Sequence, residues 1–275
     1  MQLLLVAAET LSRYKEIALM KIVTWNVNSI RARLPIVTSW LASHQPDIVL
    51  LQELKCVNEA FPLQEIEDLG YNVALLGQKT FNGVGILSKS LIEDITCGLP
   101  SFTNDDQARY IEAVIGRVRV ASVYVPNGQE VGSDKYTYKL KFLDHLRSHL
   151  EALLAYEEIC IIGGDFNIAP TDNDVYDPKE WEEKILCSTK ERNAFRGLLN
   201  LGYQDALRLY HQGVGPFTWW DYRAGAFANN QGLRIDHFLL SPEASDIVMD
   251  CQVDILPRGL DKASDHAPVW CQLKI

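Results

Sequence analysis

Long apolar runs are missing from this chain of 275 residues. The longest, such as residues 48–51 and 159–162, have the length of a strand, far short of the ~20 residues that cross a bilayer, so no membrane span is expected. The opening MQLLLVAAET has no Lys or Arg ahead of its apolar core and meets Glu9 within a few residues, so it does not read as a secretory signal. Cysteine is sparse. Cys56, Cys97, Cys160, Cys187, Cys251 and Cys271 form no C-x-x-C and stand at no zinc spacing with histidine, which points to a reducing, cytoplasmic setting. Glycine and proline, 17 and 11, are too few to break up a chain that is 47% hydrophobic, and global disorder is excluded. An excess of basic charge is missing as well. The 26 basic and 36 acidic side chains leave a net charge of −10, which argues against coating nucleic acid by bulk charge but leaves room for a locally basic face.

Length alone suits either two domains or one large α/β domain. Residues 21–28, KIVTWNVN, alternate apolar with polar or small positions, and a helix is expected over 31–43 with Leu34, Val37, Trp40 and Leu41 at helical spacing. Pro46 and Asp47 close that unit, and DIVLLQE reads as a buried strand running into Glu53. The same plan returns with RVASVYVPNG, a long helix from near Ser133 carrying Leu143, Leu146, Leu150 and Leu153 on one face, and EICIIGGDFN. Between the two units, FNGVGILSKS and RYIEAVIGRVRV read as strands of one sheet. Ser188 with Glu191 is a capping box opening a helix that should end near Gly202. The last third holds an aromatic loop, PFTWWDYRAGAFANNQG, and two strands, RIDHFLLS and APVWCQLKI. No low-complexity linker separates these parts, so the simplest layout is one α/β domain of two packed sheets flanked by helices. Residues 1–19 read as a short amphipathic helix or an upstream extension without an assigned role, and 20–275 as the domain itself.

Strand ends hold side chains rigidly while leaving them reachable, and the polar residues of interest fall there. They are Asn26, Asn28, Glu53, Tyr124, Asn127, Asp165, Asn167, Asp236, Asp265 and His266. Singly, most have an ordinary reading: a solvated strand end for Glu53, a turn for Asp165 in GGDFN, a satisfied histidine for His266. Asp236 is harder to dismiss, because it interrupts an apolar strand where an unpaired carboxylate would be desolvated, and His266 or Arg234 are the candidate partners. Together the set has the composition of a hard-metal phosphoesterase site. Magnesium takes one or two carboxylates plus substrate phosphate, which suits Glu53 and Asp265. A histidine oriented by an aspartate stabilises charge beside a phosphate, Asp165 with Asn167 can hold water, and Tyr124 and Asn127 offer donors to phosphate oxygens.

The motifs TWNVNSIRAR, LLQELK, NGVGILSK, VYVPNG, GGDFNIAP, FTWWDYRAG, GLRIDHFLLS and SDHAPVW, in this order from about Met20 to the C-terminus, resemble the exonuclease III family of AP endonucleases. That family lies within the endonuclease/exonuclease/phosphatase superfamily. The resemblance implies a four-layer α/β sandwich, two packed mixed β-sheets flanked by helices, and a Mg2+-dependent nuclease in which Mn2+ can substitute. Its expected substrate is double-stranded DNA containing abasic sites or 3′ ends, cut by a monomer without a membrane. By similarity Glu53 is the main metal ligand, with Asn26 and Asp265 nearby and Asp165, Asn167 and His266 also in reach of the metal. Tyr124, Asp165, Asn167, Asp236 and His266 take the catalytic positions. Asn127, Arg109, Trp219, Arg223, Leu233 and Ile235 take DNA-binding ones, with Trp219, Leu233 and Ile235 lining a pocket for a sugar that lacks its base. The sequence departs from the pattern at His237, where an apolar or aromatic residue is more usual.

A negatively charged chain needs a locally basic face to accept a duplex, and Lys55, Lys89, Arg109, Arg223, Arg234 and Lys262 are the candidates. Of the adjacent Trp219 and Trp220, one is expected to point inward. Two rivals share part of the pattern. A phosphatase of the same superfamily, acting on inositol phosphates or a sphingolipid head group, would keep the carboxylates but need no aromatic DNA loop. A damage-binding protein without catalysis would gain nothing from carboxylates facing phosphate.

Overall fold

A computed structural model describes residues 19–275; the expected extension at 1–19 falls outside the described residues except for Leu19. Twelve strands form two six-stranded sheets. The first runs in the order β11-β12-β1-β2-β4-β3, from Val248–Val253 (β11), Val269–Lys274 (β12), Leu19–Asn26 (β1), Ile48–Gln52 (β2), Val84–Ser88 (β4) and Asn72–Leu76 (β3). The second runs β5-β6-β7-β8-β10-β9, from Glu93–Cys97 (β5), Tyr110–Ile115 (β6), Val118–Tyr124 (β7), Ile159–Asp165 (β8), Asp236–Leu240 (β10) and Gln204–Asp205 (β9). Three helices dominate the outer layers: α1 (Ile30–His44), α2 (Asp134–Leu154) and α3 (Thr189–Leu199). No helix among the described residues is long and apolar enough to cross a membrane.

The period-2 alternation explains why the sheets stack. In β1 and β2, Ile22, Ile48 and Leu50 point between the sheets, where they join Ile111, Val120, Ile161 and Phe238 in one buried cluster. Their neighbours Val23, Trp25, Val49 and Leu51 point the other way and pack on Val37 and Leu41 of α1. On the far side Phe142, Leu146 and Leu150 of α2 cover Ala121, Val123, Ile162 and Leu239. Ser133 caps α2 by accepting from the Tyr136 amide, and Ser188 with Glu191 closes a reciprocal capping box on α3. Helix α3 ends at Leu199, three residues before Gly202, with Asn200 as its cap.

Both parallel pairs, β1 with β2 and β7 with β8, are joined by a helix. A parallel crossover returns each strand in the same direction, so both members of a pair end at one edge. The register places Asn26 beside Gln52, and Tyr124 beside Asp165. Antiparallel β10 begins where β8 ends, with Asp236 opposite Asp165. The two glycines before Asp165 are packing requirements. A Cβ on Gly163 would stand 2.5 Å from the Phe238 ring and 2.7 Å from Leu50, and one on Gly164 would stand 1.9 Å from the Val123 carbonyl oxygen.

One expectation needs correction. FNGVGILS forms β4 of the first sheet, whereas RYIEAVI and its successor form β6 and β7 of the second. They face each other across the core, with Ile86 in the same cluster as Ile111 and Ala113. All five residues of β4 are buried, and a strand covered on both faces carries no alternation that would say which neighbour it pairs with.

Candidate active site

The edge where β1, β2, β7 and β8 end collects the polar residues into one buried centre. Asn26, fully buried, donates from Nδ2 to Glu53 Oε1 at 2.8 Å and to Asp165 Oδ2 at 2.9 Å, so a single amide links the two sheets. Glu53 leaves β2 in the left-handed region at φ 53°, which turns its carboxylate back over the edge. Its Oε2 lies 2.7 Å from Lys55 Nζ. Burial alone would raise this carboxyl, but Lys55 and the Asn26 amide outweigh burial and hold it below its usual value.

Asp165 is 1% exposed. Its Oδ1 accepts from the Asn167 amide at 2.8 Å and its Oδ2 from Asn167 Nδ2 at 3.2 Å. Burial pushes its carboxyl up to about 7; His266 opposes the shift, while Asp236 and Glu53 add to it. His266 sits over this carboxylate, with Nε2 3.7 Å from Asp165 Oδ2 and Nδ1 2.9 Å from Asp236 Oδ2. Burial would lower the imidazole, but Asp236 and Asp165 dominate and raise it to about 10. This setting favours the charged ring, with Nδ1 hydrogen-bonded to the Asp236 carboxylate and Nε2 facing Asp165 beyond hydrogen-bond distance. Arg234, the other candidate partner for Asp236, pairs instead with Asp174 and Asp205.

Thr218 Oγ1 accepts from the amides of Ile235 and Asp236, and Trp219 bridges both Leu233 and His266, so the aromatic loop is stitched to the start of β10. Trp219 is half-buried and its Nε1 donates to Asp265 Oδ2 at 2.9 Å. Asp265 Oδ1 accepts from Asn28 Nδ2 at 2.8 Å. These two donors, with the neighbouring imidazolium, outweigh burial and keep the Asp265 carboxyl low. Trp220 is the inward tryptophan, 2% exposed. Tyr222, half exposed, accepts from Asn28 Nδ2 and donates to the Ala263 carbonyl.

On the other flank, Tyr124 is stacked under the Arg109 guanidinium at 4.8 Å. Burial, then Glu53 and Asp165, push its phenol well above its ordinary value, so it stays a donor. Exposed Asn127 donates from Nδ2 to Asn167 Oδ1 at 3.1 Å. Arg109, Tyr124 and Asn127 line a cleft of about 480 Å³ that also includes Phe81, Lys135 and Tyr138 and opens beside the centre.

A hard cation fits this arrangement. Among the described residues the group of acidic, histidine or cysteine side chains close enough to hold an ion is Glu53, Asp165 and His266, whose nearest ligand atoms lie within 4.8 Å of one another. The buried carboxylate of Asp165 and the partly buried one of Glu53 supply oxygen donors, with the His266 ring beside them. Asp265 stands outside this trio, tied to Asn28 and Trp219. Asn26 and Asn167 adjoin the trio through their amide hydrogens.

Three expected positions need correction. Leu233 and Ile235 are 0% and 1% exposed, packed with Val175 and Leu186, so they back Trp219 and do not line an open pocket. Arg234 is 1% exposed in a buried ion-pair cluster and cannot form part of a basic face. Arg223, in contrast, is exposed, and its guanidinium lies 2.6 Å from the Asp221 carboxylate. Sequence reasoning also missed residues. Ser264 Oγ ties the Asn26 carbonyl at 2.7 Å and accepts from the His266 amide. Lys139 reaches under the Asn127 and Asn167 loops, and its signal was a lysine standing in the apolar stripe of α2 between Tyr136 and Leu143.

Residues 23–266 match the family model described as the endonuclease/exonuclease/phosphatase family, and the chain belongs to that family. Exodeoxyribonuclease III of Haemophilus influenzae is 35% identical over 267 residues, which cover 93% of this chain and all of the relative. A 3′ phosphatase from Neisseria, solved bound to a product DNA hairpin, superposes with a TM-score of 0.91 at 43% identity, covering 93% of this chain and 100% of the other. An AP endonuclease from Archaeoglobus fulgidus superposes with a TM-score of 0.89 at 38% identity and the same coverage.

Proposed function

We propose that this chain is a DNA-repair hydrolase that cuts the phosphodiester on the 5′ side of an abasic site in duplex DNA. The products are a 3′-hydroxyl and a 5′-deoxyribose phosphate, as base excision repair requires. The same site also trims 3′ ends, as a 3′-to-5′ exonuclease and 3′-phosphodiesterase. The observation that carries this reading is the buried His266 ring, held by Asp236 beside the carboxylates of Asp165 and Glu53, with the loop over 216–232 alongside. The names of full-length relatives, an exodeoxyribonuclease III and an AP endonuclease, support it.

Glu53 and Asp165 would hold Mg2+, or Mn2+ in its place. When bound, that cation supplies Lewis-acid stabilisation of charge on phosphate oxygens. The remaining work belongs to side chains. Asp165, ionised above its raised pKa and fixed by Asn26 and Asn167, orients the attacking water and accepts its proton. His266 donates its Nε2 hydrogen to the phosphate as negative charge develops, and Asp236 keeps the ring charged and aimed. Tyr124 and Asn127 add donors on the opposite flank. Trp219, seated on Leu233 and Ile235, forms the apolar wall against which an extruded deoxyribose packs, and extrusion is easiest where pairing is already absent. The protein acts as a monomer in the cytoplasm.

The test is a labelled duplex carrying one tetrahydrofuran analogue beside an intact control, incubated with magnesium or with EDTA. Magnesium-dependent incision immediately 5′ to the analogue supports the proposal. Absence of incision with any metal, together with hydrolysis of inositol phosphates, replaces it by the phosphatase reading.

A further inference from the structure

The site has a floor that the chemistry above does not use. Lys139, on α2, and Glu191, on α3, are both completely buried and form an ion pair. The three hydrogens of the ammonium are all engaged: one goes to Glu191 Oε1, one to the Asn167 carbonyl at 2.6 Å and one to the Asn127 carbonyl at 3.2 Å. Glu191 is itself fixed, since its carboxylate accepts from the amides of Leu186 and Ser188. The chain is tight here. A Cβ on Gly128, at φ 90°, would stand 3.2 Å from Lys139 Cδ.

Burying a lysine and a glutamate is costly, and replacing such pairs with apolar residues of similar volume is often neutral or stabilising. Stability therefore gives little reason for the pair. What it adds is a joint from below between two loops that leave different strands, the one after β7 with Asn127 and the one after β8 with Asn167, beneath the direct hydrogen bonds of Asn167 to Asn127 and to the Val125 carbonyl. We infer that the Lys139–Glu191 pair is a positioning device that sets the spacing of the Asn127 and Asn167 side chains around Asp165, and through them the alignment of the scissile phosphate and its attacking water. The chain of contacts is continuous. Asn127 Nδ2 donates to Asn167 Oδ1 at 3.1 Å, and Asn167 Nδ2 donates to Asp165 Oδ2. Both carbonyls point down to the ammonium while both side chains face the centre, so a shift of the lysine moves the amides as a unit.

This inference rests on the proposed phosphodiester hydrolysis, and its test separates the two. The first variant, Lys139→Met with Glu191→Gln, removes both charges together so that neither is left buried alone. Single-turnover incision of the abasic duplex is expected to fall 10- to 100-fold, while the Kd for the same duplex in EDTA changes less than threefold. In an Asn167→Ala background the same pair of changes should cost less than threefold more, because the group through which it acts is gone. An undiminished penalty in that background, or an unchanged rate in the parent background, overturns the inference. If that neutral pair does not fold, Lys139→Gln with Glu191→Gln keeps a donor at residue 139, leaves no charge buried alone and should show the same non-additivity. A second readout needs no activity. Amide hydrogen exchange in the protein without DNA should lose at least tenfold protection over residues 127–129 and 166–168 in the variant, with the β7 and β8 amides unaffected. Unchanged protection in both loops overturns the inference, and this result decides it even if the unaltered chain does not incise DNA.

Discussion

Replacing Asp236 by asparagine isolates the electrostatic role assigned to His266, because the change keeps the size of the side chain and removes one charge. The carboxylate oxygens lie 2.9 and 3.1 Å from His266 Nδ1, and both residues are almost completely buried. Coulomb's relation at about 3 Å with an effective dielectric of about 20 gives roughly 5 kcal/mol for the attraction. That corresponds to roughly four pK units on the imidazole. With the carboxylate present, Asp236 and Asp165 outweigh burial and keep the ring charged up to about pH 10. Without it, burial wins and the ring is neutral at pH 7.5, so the donor that meets the phosphate is lost or reversed. Loss of one such donor costs about 10²–10³ in turnover. Asp236→Asn should therefore incise an abasic duplex 10²–10³-fold more slowly at pH 7.5 in single-turnover assays. The sign of the pH dependence follows. Acid re-protonates the imidazole of the variant but leaves the already charged wild-type ring unchanged, so the wild-type-to-variant ratio should shrink from pH 8 to pH 5.5. Asp165 titrates in both proteins, and in the variant it loses both the Asp236 charge that raised it and the imidazolium that lowered it, two changes of opposite sign. A ratio below threefold, or one that stays constant with pH, refutes the charged-imidazole account.

Other tests bear on separate parts of the account. Asp165→Asn should lose at least 10³-fold in single-turnover rate, since the water loses its acceptor, while the duplex Kd in EDTA changes less than threefold; a near-normal rate removes Asp165 from the proton transfer. His237 is buried and neutral, with burial and then Arg234 lowering it to about 4. Below its unfolded value of about 6.5 the unfolded chain binds the proton first, so stability from this residue is present at neutral pH and lost as pH falls toward 4, by up to about 3 kcal/mol. Urea midpoints should accordingly fall more steeply with acid in the wild type than in His237→Gln, and parallel curves would contradict the neutral buried state. Gly164→Ala would place a methyl 1.9 Å from the Val123 carbonyl and should destabilise the protein by at least about 3 kcal/mol in chemical denaturation. A wild-type midpoint would mean that β7 and β8 are not packed as described.

Much of this architecture is written in local pattern. The alternation of KIVTWNVN, the apolar stripe of α2 and the capping box at Ser188 each give their element directly, because backbone geometry and burial act on neighbouring residues. Two strand-helix-strand units then place Asn26 with Glu53 and Tyr124 with Asp165, since parallel crossovers bring strand ends to one edge. What local pattern does not carry is pairing between distant segments. The placement of β4 opposite β6 and β7 depends on which faces stack, and β4 is apolar on both. Arg234 looked like a surface cation because its partners, Asp174 and Asp205, lie 60 and 29 residues away in sequence. Leu233 and Ile235 lie beside Trp219, yet both side chains turn into the core beneath it, among Val175 and Leu186. Lys139 was legible as an anomaly in a helix stripe, but its target was not, because the carbonyls it binds come from two loops that meet only in the fold.

The most direct test of the account is to let the protein cut a duplex with a natural abasic site in H2(18)O with magnesium and to weigh the fragments. Hydrolysis at phosphorus requires the oxygen of the attacking water to remain on the phosphate, so the phosphate of the 5′-deoxyribose phosphate product, read as its own fragment ion because the sugar aldehyde also exchanges oxygen with water, should carry one 18O, and the upstream fragment should end in a plain 3′-hydroxyl. Strand cleavage without 18O in that phosphate, or an upstream fragment ending in a sugar remnant, would contradict hydrolysis by the Glu53, Asp165 and His266 centre.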